Sequence, residues 1–150
     1  MTIVVDANLV VGTVIRPPDG PDVVAVLRTW RQNNELLIAP SLLEYEVVSV
    51  FRRAITIGLL DQQAAAKALE AVSNLGINLI APSAELSRSA LFLAERIGHS
   101  KAYDSQYLAL AARENVPFWT ADRQLARAAQ SAGLAWTHWI GELTTDHESP

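Results

Sequence analysis

Three aspartates stand where an apolar run meets a turn or a helix start. Asp104 lies in the first turn of a predicted helix that is otherwise strongly apolar, where folding alone has little use for a carboxylate. Asp6 follows Ile3-Val-Val, and Asp122 follows Phe118-Trp-Thr-Ala. Burying an unpaired carboxylate costs more than the ~0.3–1 kcal/mol that a helix dipole contributes. These positions indicate one shared anionic pocket, which would suit a hard metal ion.

Carboxylates gathered in this way favour metal-assisted hydrolysis of a phosphate ester. Like charges at close range are stable as anions only beside a cation or when one stays protonated. A bound ion can supply the attacking hydroxide, neutralise the phosphate and stabilise the departing oxygen, and two ions ~4 Å apart would do so symmetrically. Such chemistry needs neither a histidine base nor a protein nucleophile.

Other metal and nucleophile chemistries find little support in the residue types. The chain has no cysteine, which excludes a disulfide framework, a thiol nucleophile and a zinc–thiolate site. The three histidines, His99, His138 and His147, do not have HExxH-like spacing. A histidine-rich zinc site is therefore not expected.

The charge balance permits a nucleic-acid substrate. The sequence has 16 acids and 12 bases, for a formal charge of −4. Setting aside four metal-site carboxylates leaves 12 acids against 12 bases, a neutral body. A bound divalent ion would offset part of the remaining charge. Tight, indiscriminate binding of nucleic acid is not expected, because that calls for a basic surface.

The elements that must position the acids alternate between strands and helices. Short apolar runs predict strands at 2–5, 36–39, 77–80 and 117–120, with a weaker fifth at 134–138. Segments with a 3.6-residue apolar period lie between them and predict helices. Gly76 and Gly98 follow helical segments, where a left-handed residue is favoured. Asp61, Ser83 and Asp122 stand where an N-cap oxygen is expected.

Strands alternating with helices predict a three-layer α/β/α sandwich around a mostly parallel sheet of about five strands. Ligands of such sheets bind beyond the carboxyl ends of the strands, at the point where strand order reverses. If the first and fourth strands are neighbours there, Asp6 and Asp122 converge. We expect a single domain over residues 1–140, followed by a polar tail over 141–150 that is frayed.

The sequence is not expected to contain a membrane span or a signal peptide. No apolar run approaches the ~18 residues of a membrane span. The N-terminus lacks the basic region and cleavage site of a signal peptide. We therefore expect a cytoplasmic protein without a membrane segment.

Four ordered motifs carry a family resemblance. They are Asp6 with Asn8, Glu46 in the run from Pro40 to Arg53, Tyr103-Asp104, and Thr120-Ala-Asp122-Arg123. In order and spacing, over nearly the whole chain, this set resembles the motifs of PIN-domain ribonucleases. Within that family, it is most similar to the toxin subunits of VapBC-type toxin–antitoxin pairs.

The resemblance implies cleavage of RNA with Mg²⁺ or Mn²⁺, and an acidic cluster of Asp6, Glu46, Asp104 and Asp122. It further implies that Asn8 and Thr120 support the cluster by hydrogen bonding, that a small antitoxin blocks the cleft, and that the chain forms a homodimer. Our preferred direct metal ligands are Asp6 and Asp104, with Glu46 and Asp122 binding directly or through water. Ser49 stands where many relatives have Asn, and its hydroxyl can still donate a hydrogen bond over a shorter reach.

Several of these residues have a simpler structural interpretation. Asp122 and Asp6 are natural N-caps, each worth ~1 kcal/mol. Glu44 and Glu46 point about 200° apart on a helix, so only one can face the pocket. Apolar residues flank Glu46 on the helix, so we expect Glu46 to face the pocket and Glu44 to face solvent. Arg123 could line the mouth of the site and bind substrate, or simply be solvated.

Two other functions remain open at this point. A domain of this fold could keep a weak metal site and act only by binding proteins, although acids at all four positions argue against lost catalysis. An aspartyl-nucleophile phosphotransferase is less favoured. That chemistry needs a second acid two residues after Asp6, where Asn8 stands, and a lysine beyond a late strand. The only lysines are Lys67 and Lys101.

Overall fold

The computed structural model describes residues 1–145. Its centre is a five-stranded sheet in which every neighbouring pair of strands is parallel. The strands are β1 (Thr2–Val5), β2 (Leu36–Pro40), β3 (Asn78–Ile80), β4 (Phe118–Thr120) and β5 (Thr137–Trp139), in the spatial order β3-β2-β1-β4-β5. The predicted α/β sandwich with a parallel sheet is thus confirmed.

Helices fill the connections between the strands. They are α1 (Ala7–Val11), α2 (Val23–Gln32), α3 (Leu42–Thr56), α4 (Gln62–Ser73), α5 (Ala84–Arg96), α6 (Asp104–Glu114), α7 (Arg123–Ser131) and α8 (Glu142–Thr145). The predicted caps are confirmed, because the side chains of Asp61, Ser83 and Asp122 accept hydrogen bonds from the first turns of α4, α5 and α7. Gly76 and Gly98 adopt the left-handed conformation expected after a helix.

Strand order reverses at β1, which lies between β2 and β4. Val5 pairs with Trp119 in the parallel register, so β1 and β4 end side by side. This arrangement confirms that the first and fourth strands are neighbours. It brings the residues that follow them, Asp6 and Asp122, to the same edge of the sheet.

Burial explains why β1 and α6 form the rigid centre. Ile3, Val4 and Val5 are at most 1% exposed, as expected for a strand covered on both faces. Helix α6 packs on β1, β2 and β4, and its residues Tyr107 and Leu108 are equally buried. The apolar run of α6 therefore holds its first residue, Asp104, at a fixed place beside the sheet.

The fifth strand begins later than the sequence predicts. The predicted strand spans 134–138, whereas β5 spans Thr137–Trp139. Gly133 is left-handed at the end of α7, and the Thr137 N–H donates to the Leu134 carbonyl at 3.1 Å. A turn therefore uses the first residues of the apolar run before the chain can pair with β4.

The C-terminal segment is described only in part. Helix α8 occupies residues within the predicted polar tail, while residues 146–150 lie outside the described part of the chain. The domain limit at residue 140 and the fraying of the tail stay predictions. None of the helices within residues 1–145 combines the length and apolar character needed to cross a bilayer.

Candidate active site

Asp6 is buried at the junction of β1 and α1, with 3% of its surface exposed. Its Oδ1 accepts a hydrogen bond from the Leu9 N–H at 2.8 Å, so the carboxylate caps α1 as the sequence predicts. Its Oδ2 accepts a short hydrogen bond from the Thr120 hydroxyl of β4. Both oxygens of Asp6 are therefore held in place, one by its own helix and one by the neighbouring strand.

Thr120 connects Asp6 to Asp122. Its hydroxyl oxygen accepts from the Asp122 N–H at 2.9 Å while the same hydroxyl donates to Asp6. Asp122 in turn accepts from the backbone N–H groups of Gln124 and Leu125 at 2.9 and 3.1 Å. The capping interpretation of Asp122 is correct, and its second carboxylate oxygen is left over for another role.

We predict that Thr120→Val weakens the folded state by about 1–3 kcal/mol, because the Asp122 N–H loses its acceptor and Asp6 loses a donor at a buried site. The measurement is urea unfolding at pH 8, read as a change in midpoint. Thr29→Val is the matched control. Its hydroxyl donates to the Ala25 carbonyl on an exposed helix face. Equal losses in the two variants would contradict the structural role of Thr120.

Glu46 is half-buried on α3 and is held by a residue that the sequence analysis did not select. The Tyr107 hydroxyl of α6 donates to Glu46 Oε1 at 2.7 Å. Glu44 is exposed, as predicted from helix geometry. Tyr107 follows Asp104 by three residues on the same helix, and this i,i+3 spacing could have marked it as a neighbour of the acids.

Asp104 begins α6 and faces a cavity of about 450 Å³. His99 lies beside it, with its Nδ1 3.4 Å from Asp104 Oδ2. About a third of each side chain is exposed. The cavity is lined by Glu46, Gly98, His99, Ser100, Lys101, Tyr103 and Asp104. The contact of His99 with Asp104 is not apparent from the sequence.

Burial and mutual repulsion disfavour the charged form of Asp6. The pKa of Asp6 is raised from 3.8 to about 7, and burial is the largest cause. Hydrogen bonds from Thr120 and the Leu9 N–H act to lower the pKa but do not cancel the effect of burial. The negative charges of Asp104 and Asp122 also contribute to the raised pKa, which places all three acids within electrostatic range of one another.

The same effects act on Glu46 and Asp104, which are half-buried. Burial raises the pKa of Glu46, and the negative charge of Asp104 acts in the same direction. The hydrogen bond from Tyr107 acts in the opposite direction and lowers that pKa. Burial also raises the pKa of Asp104, with His99 opposing the shift and Asp122 reinforcing it. A cation at this edge of the sheet would therefore stabilise the ionised forms of several acids together.

The donor set fits a hard divalent ion. Carboxylate oxygens are suitable ligands, and Mg²⁺ is commonly bound through one or two carboxylates while it keeps several waters. Within residues 1–145, no arginine or lysine forms an ion pair with any of the four acids. Over the same residues, no three acidic or histidine side chains are close enough to hold an ion by themselves. Two direct carboxylate ligands, with the others acting through water, agree with both findings.

The four acids do not line one cavity. Glu46 and Asp104 line the 450 Å³ cavity, whereas Asp122 lines a second cavity of about 300 Å³ together with Asn8. Asp6 lies buried within range of both Asp104 and Asp122. The four acids are therefore linked by electrostatic interactions and not by lining one cavity.

The predicted supporting residues are placed unequally. Thr120 contacts Asp6, as the resemblance implied. Asn8 and Ser49 are exposed, and neither makes a side-chain hydrogen bond to the four acids within the described part of the chain. Arg123 lies next to Asp122 in sequence, with its guanidinium carbon 4.8 Å from the ring centre of Trp139. Trp139 was not selected from the sequence.

Comparison with known proteins agrees with this fold. A model of the PIN domain family matches residues 3–131. The chain belongs to the PIN domain family. PIN domains are generally nucleases that use divalent metal ions.

Among solved structures, this PIN domain is similar to the crystal structure of PAE2754 from Pyrobaculum aerophilum. The TM-score is 0.67 at 19% identity, covering 97% of this chain and 88% of that chain. At this identity the likeness concerns the fold alone. A search of curated proteins finds no matching sequence.

Proposed function

We propose that this PIN domain is an endoribonuclease that hydrolyses RNA phosphodiesters with Mg²⁺ or Mn²⁺. One observation carries the proposal. Asp6 is buried at the β1–β4 junction, fixed by Thr120, and electrostatically coupled to Asp104 and Asp122, with no basic side chain to neutralise it in the described part of the chain. Such an arrangement is unfavourable for folding and becomes favourable beside a cation.

In this proposal Asp6 and Asp104 bind the metal directly, and Glu46 and Asp122 bind directly or through water. The ion, when bound, activates water and neutralises charge on the phosphate. Tyr107 fixes the orientation of Glu46 by its hydrogen bond, and donors of this kind commonly orient the carboxylates that bind a metal. Hydrolysis by water predicts products with a 5′-phosphate and a 3′-hydroxyl.

Arg123 supplies a positive charge at the edge of the site. Its guanidinium group lies over Trp139, and stacking of this kind restricts the side chain at little cost in hydration. It follows directly after Asp122 in the first turn of α7. We assign Arg123 to binding of a backbone phosphate of the RNA, in preference to a purely solvated role.

We further propose that the enzyme is the toxin of a type II toxin–antitoxin pair. In this role it is a cytoplasmic homodimer whose cleft is blocked by a small antitoxin that presents a basic side chain to the acids. Expression of the chain alone should stop growth, and co-expression with the product of a neighbouring gene should restore growth and yield a complex. Harmless expression without a co-purifying partner would contradict the toxin role.

Removal of the metal tests the nuclease proposal directly. We expect purified chain to cleave single-stranded RNA in millimolar Mg²⁺ or Mn²⁺ and to stop in excess EDTA, because charge neutralisation at the acids is lost. The measurement is release of fragments with their end groups identified. RNA cleavage that persists in EDTA, or that leaves a 3′-phosphate, would overturn the proposal. A domain that only binds proteins would show no turnover with any ion.

A further inference from the structure

The loop between α5 and α6 forms one wall of the 450 Å³ cavity beside Glu46 and Asp104. Lys101 is exposed on this loop and lines the cavity. It is one of two lysines in the whole chain, and the other, Lys67, lies on α4. Lys101 therefore brings a positive charge to the same cavity that Glu46 and Asp104 line, although the sequence is acidic as a whole.

Tyr103 lines the same cavity with 59% of its surface exposed. It precedes α6 as the N-cap residue but makes no capping hydrogen bond with its side chain. Exposure of so much apolar ring has no benefit for folding. Its position next to Asp104 instead places an aromatic surface at the entrance to the acids.

We propose that this cavity binds a nucleotide of single-stranded RNA next to the cleaved bond, with Lys101 at a backbone phosphate and Tyr103 stacked on a base. The inference rests on the proposed ribonuclease function and adds a substrate subsite to it. A phosphate entering beside Glu46 and Asp104 is repelled by them, and Lys101 reduces that repulsion. Stacking on an aromatic ring is available to every base, so it adds affinity with little sequence preference.

Two features of the cavity favour an unpaired strand. Bases can stack on a side chain only when they are splayed out of a helix, as in single strands and loops. The cavity, of about 450 Å³, is also lined by the half-buried carboxylates of Glu46 and Asp104 rather than by a continuous basic surface. His99 lines the cavity too, but its Nδ1 contacts Asp104, whereas Lys101 makes no ion pair within residues 1–145.

The test compares steady-state kinetics of the full chain on short single-stranded RNA in Mn²⁺. Tyr103→Ala should raise KM about 5- to 150-fold, the range expected for loss of one base–aromatic stack. Tyr103→Phe should stay near wild type, because the ring is kept. A single abasic position scanned along the RNA should raise KM at one place for the wild type, and at no place for Tyr103→Ala.

Lys101→Ala has a separate readout. Loss of one phosphate contact should reduce the steepness of log(kcat/KM) against log[salt] by about 0.7. The matched controls are Tyr45→Ala, which alters a 75% exposed tyrosine on α3, and Lys67→Ala. Neither residue lines the cavity, and both variants should behave as wild type.

If Tyr103→Ala keeps the KM of the wild type and Lys101→Ala keeps its salt dependence, the subsite is overturned. The nuclease proposal still stands in that case, provided that the wild type cleaves RNA. Equal effects of the two control variants would overturn the subsite as well, since the contribution would then be general to the surface. Absence of cleavage by the wild type would instead overturn the proposed function, and the subsite with it.

Discussion

Asp104→Asn is expected to lower RNA cleavage at least about 100-fold while the protein stays folded. Replacing a residue that only hydrogen-bonds to a metal ligand typically lowers activity about 10- to 100-fold, and replacing a proposed direct ligand such as Asp104 should have a larger effect. The fold should tolerate the change because Asp104 is partly exposed and its neighbour His99 can still hydrogen-bond to an amide. Cleavage rates at saturating Mn²⁺, together with an unchanged circular dichroism spectrum, provide the measurement.

Asp61→Asn is the matched control for Asp104→Asn. It makes the same chemical change at the start of another helix, where the exposed Asp61 accepts from the Ala64 N–H at 2.7 Å. Asparagine is an equally good N-cap, so neither fold nor cleavage should change. If Asp104→Asn cleaves RNA as fast as Asp61→Asn does, Asp104 is not a metal ligand.

Asp6→Asn is expected to stabilise the metal-free protein at pH 8 by up to about 4 kcal/mol. A folded-state pKa of about 7 against an ordinary value of 3.8 corresponds to that free energy. Because the pKa is raised, the protonated carboxyl is compatible with folding below pH 4, and stability is lost as the pH rises from about 4 through 7. Asparagine cannot ionise, so the variant should lack this part of the pH dependence.

Urea unfolding of both proteins between pH 4 and pH 8 in EDTA measures this difference. The two should have similar stability near pH 4, less about 1 kcal/mol for the altered hydrogen bond with Thr120. Added Mn²⁺ should stabilise the wild type at pH 8 more than the variant, because only the wild type keeps the full ligand set. Parallel pH profiles in EDTA would show that Asp6 does not carry an unfavourable charge.

Features set by local chemistry could be predicted from the sequence. Asp6, Asp61, Ser83 and Asp122 follow the residue preferences of helix N-termini, and each caps a helix as expected. The general rule for parallel sheets predicted a site at the carboxyl ends of the strands, whereas the neighbouring positions of β1 and β4 were only a condition that the structure then met. The opposed directions of Glu44 and Glu46 needed only the helical repeat.

Contacts between distant elements could not be predicted in the same way. The bond from Tyr107 to Glu46 joins residues 61 positions apart, and it depends on how α3 and α6 pack against each other. The contact of His99 with Asp104 depends on the path of a loop. The late start of β5 depends on a turn after Gly133 that uses residues with strand-like character. Packing and loop geometry decide each of these, and a single sequence carries little information on either.

The hydrogen bond from Thr120 to Asp6 has a consequence for synthesis of the protein, since it joins residues 114 positions apart. While the ribosome is still making the chain, every nascent fragment shorter than about 120 residues lacks that bond. Such a fragment also lacks Asp122, which comes last in the chain among the four proposed site acids. The activity proposed for the domain thus requires that Thr120 and Asp122 have been translated. Under the proposed function, a nascent chain that ends before these residues cannot cut the messenger that encodes it.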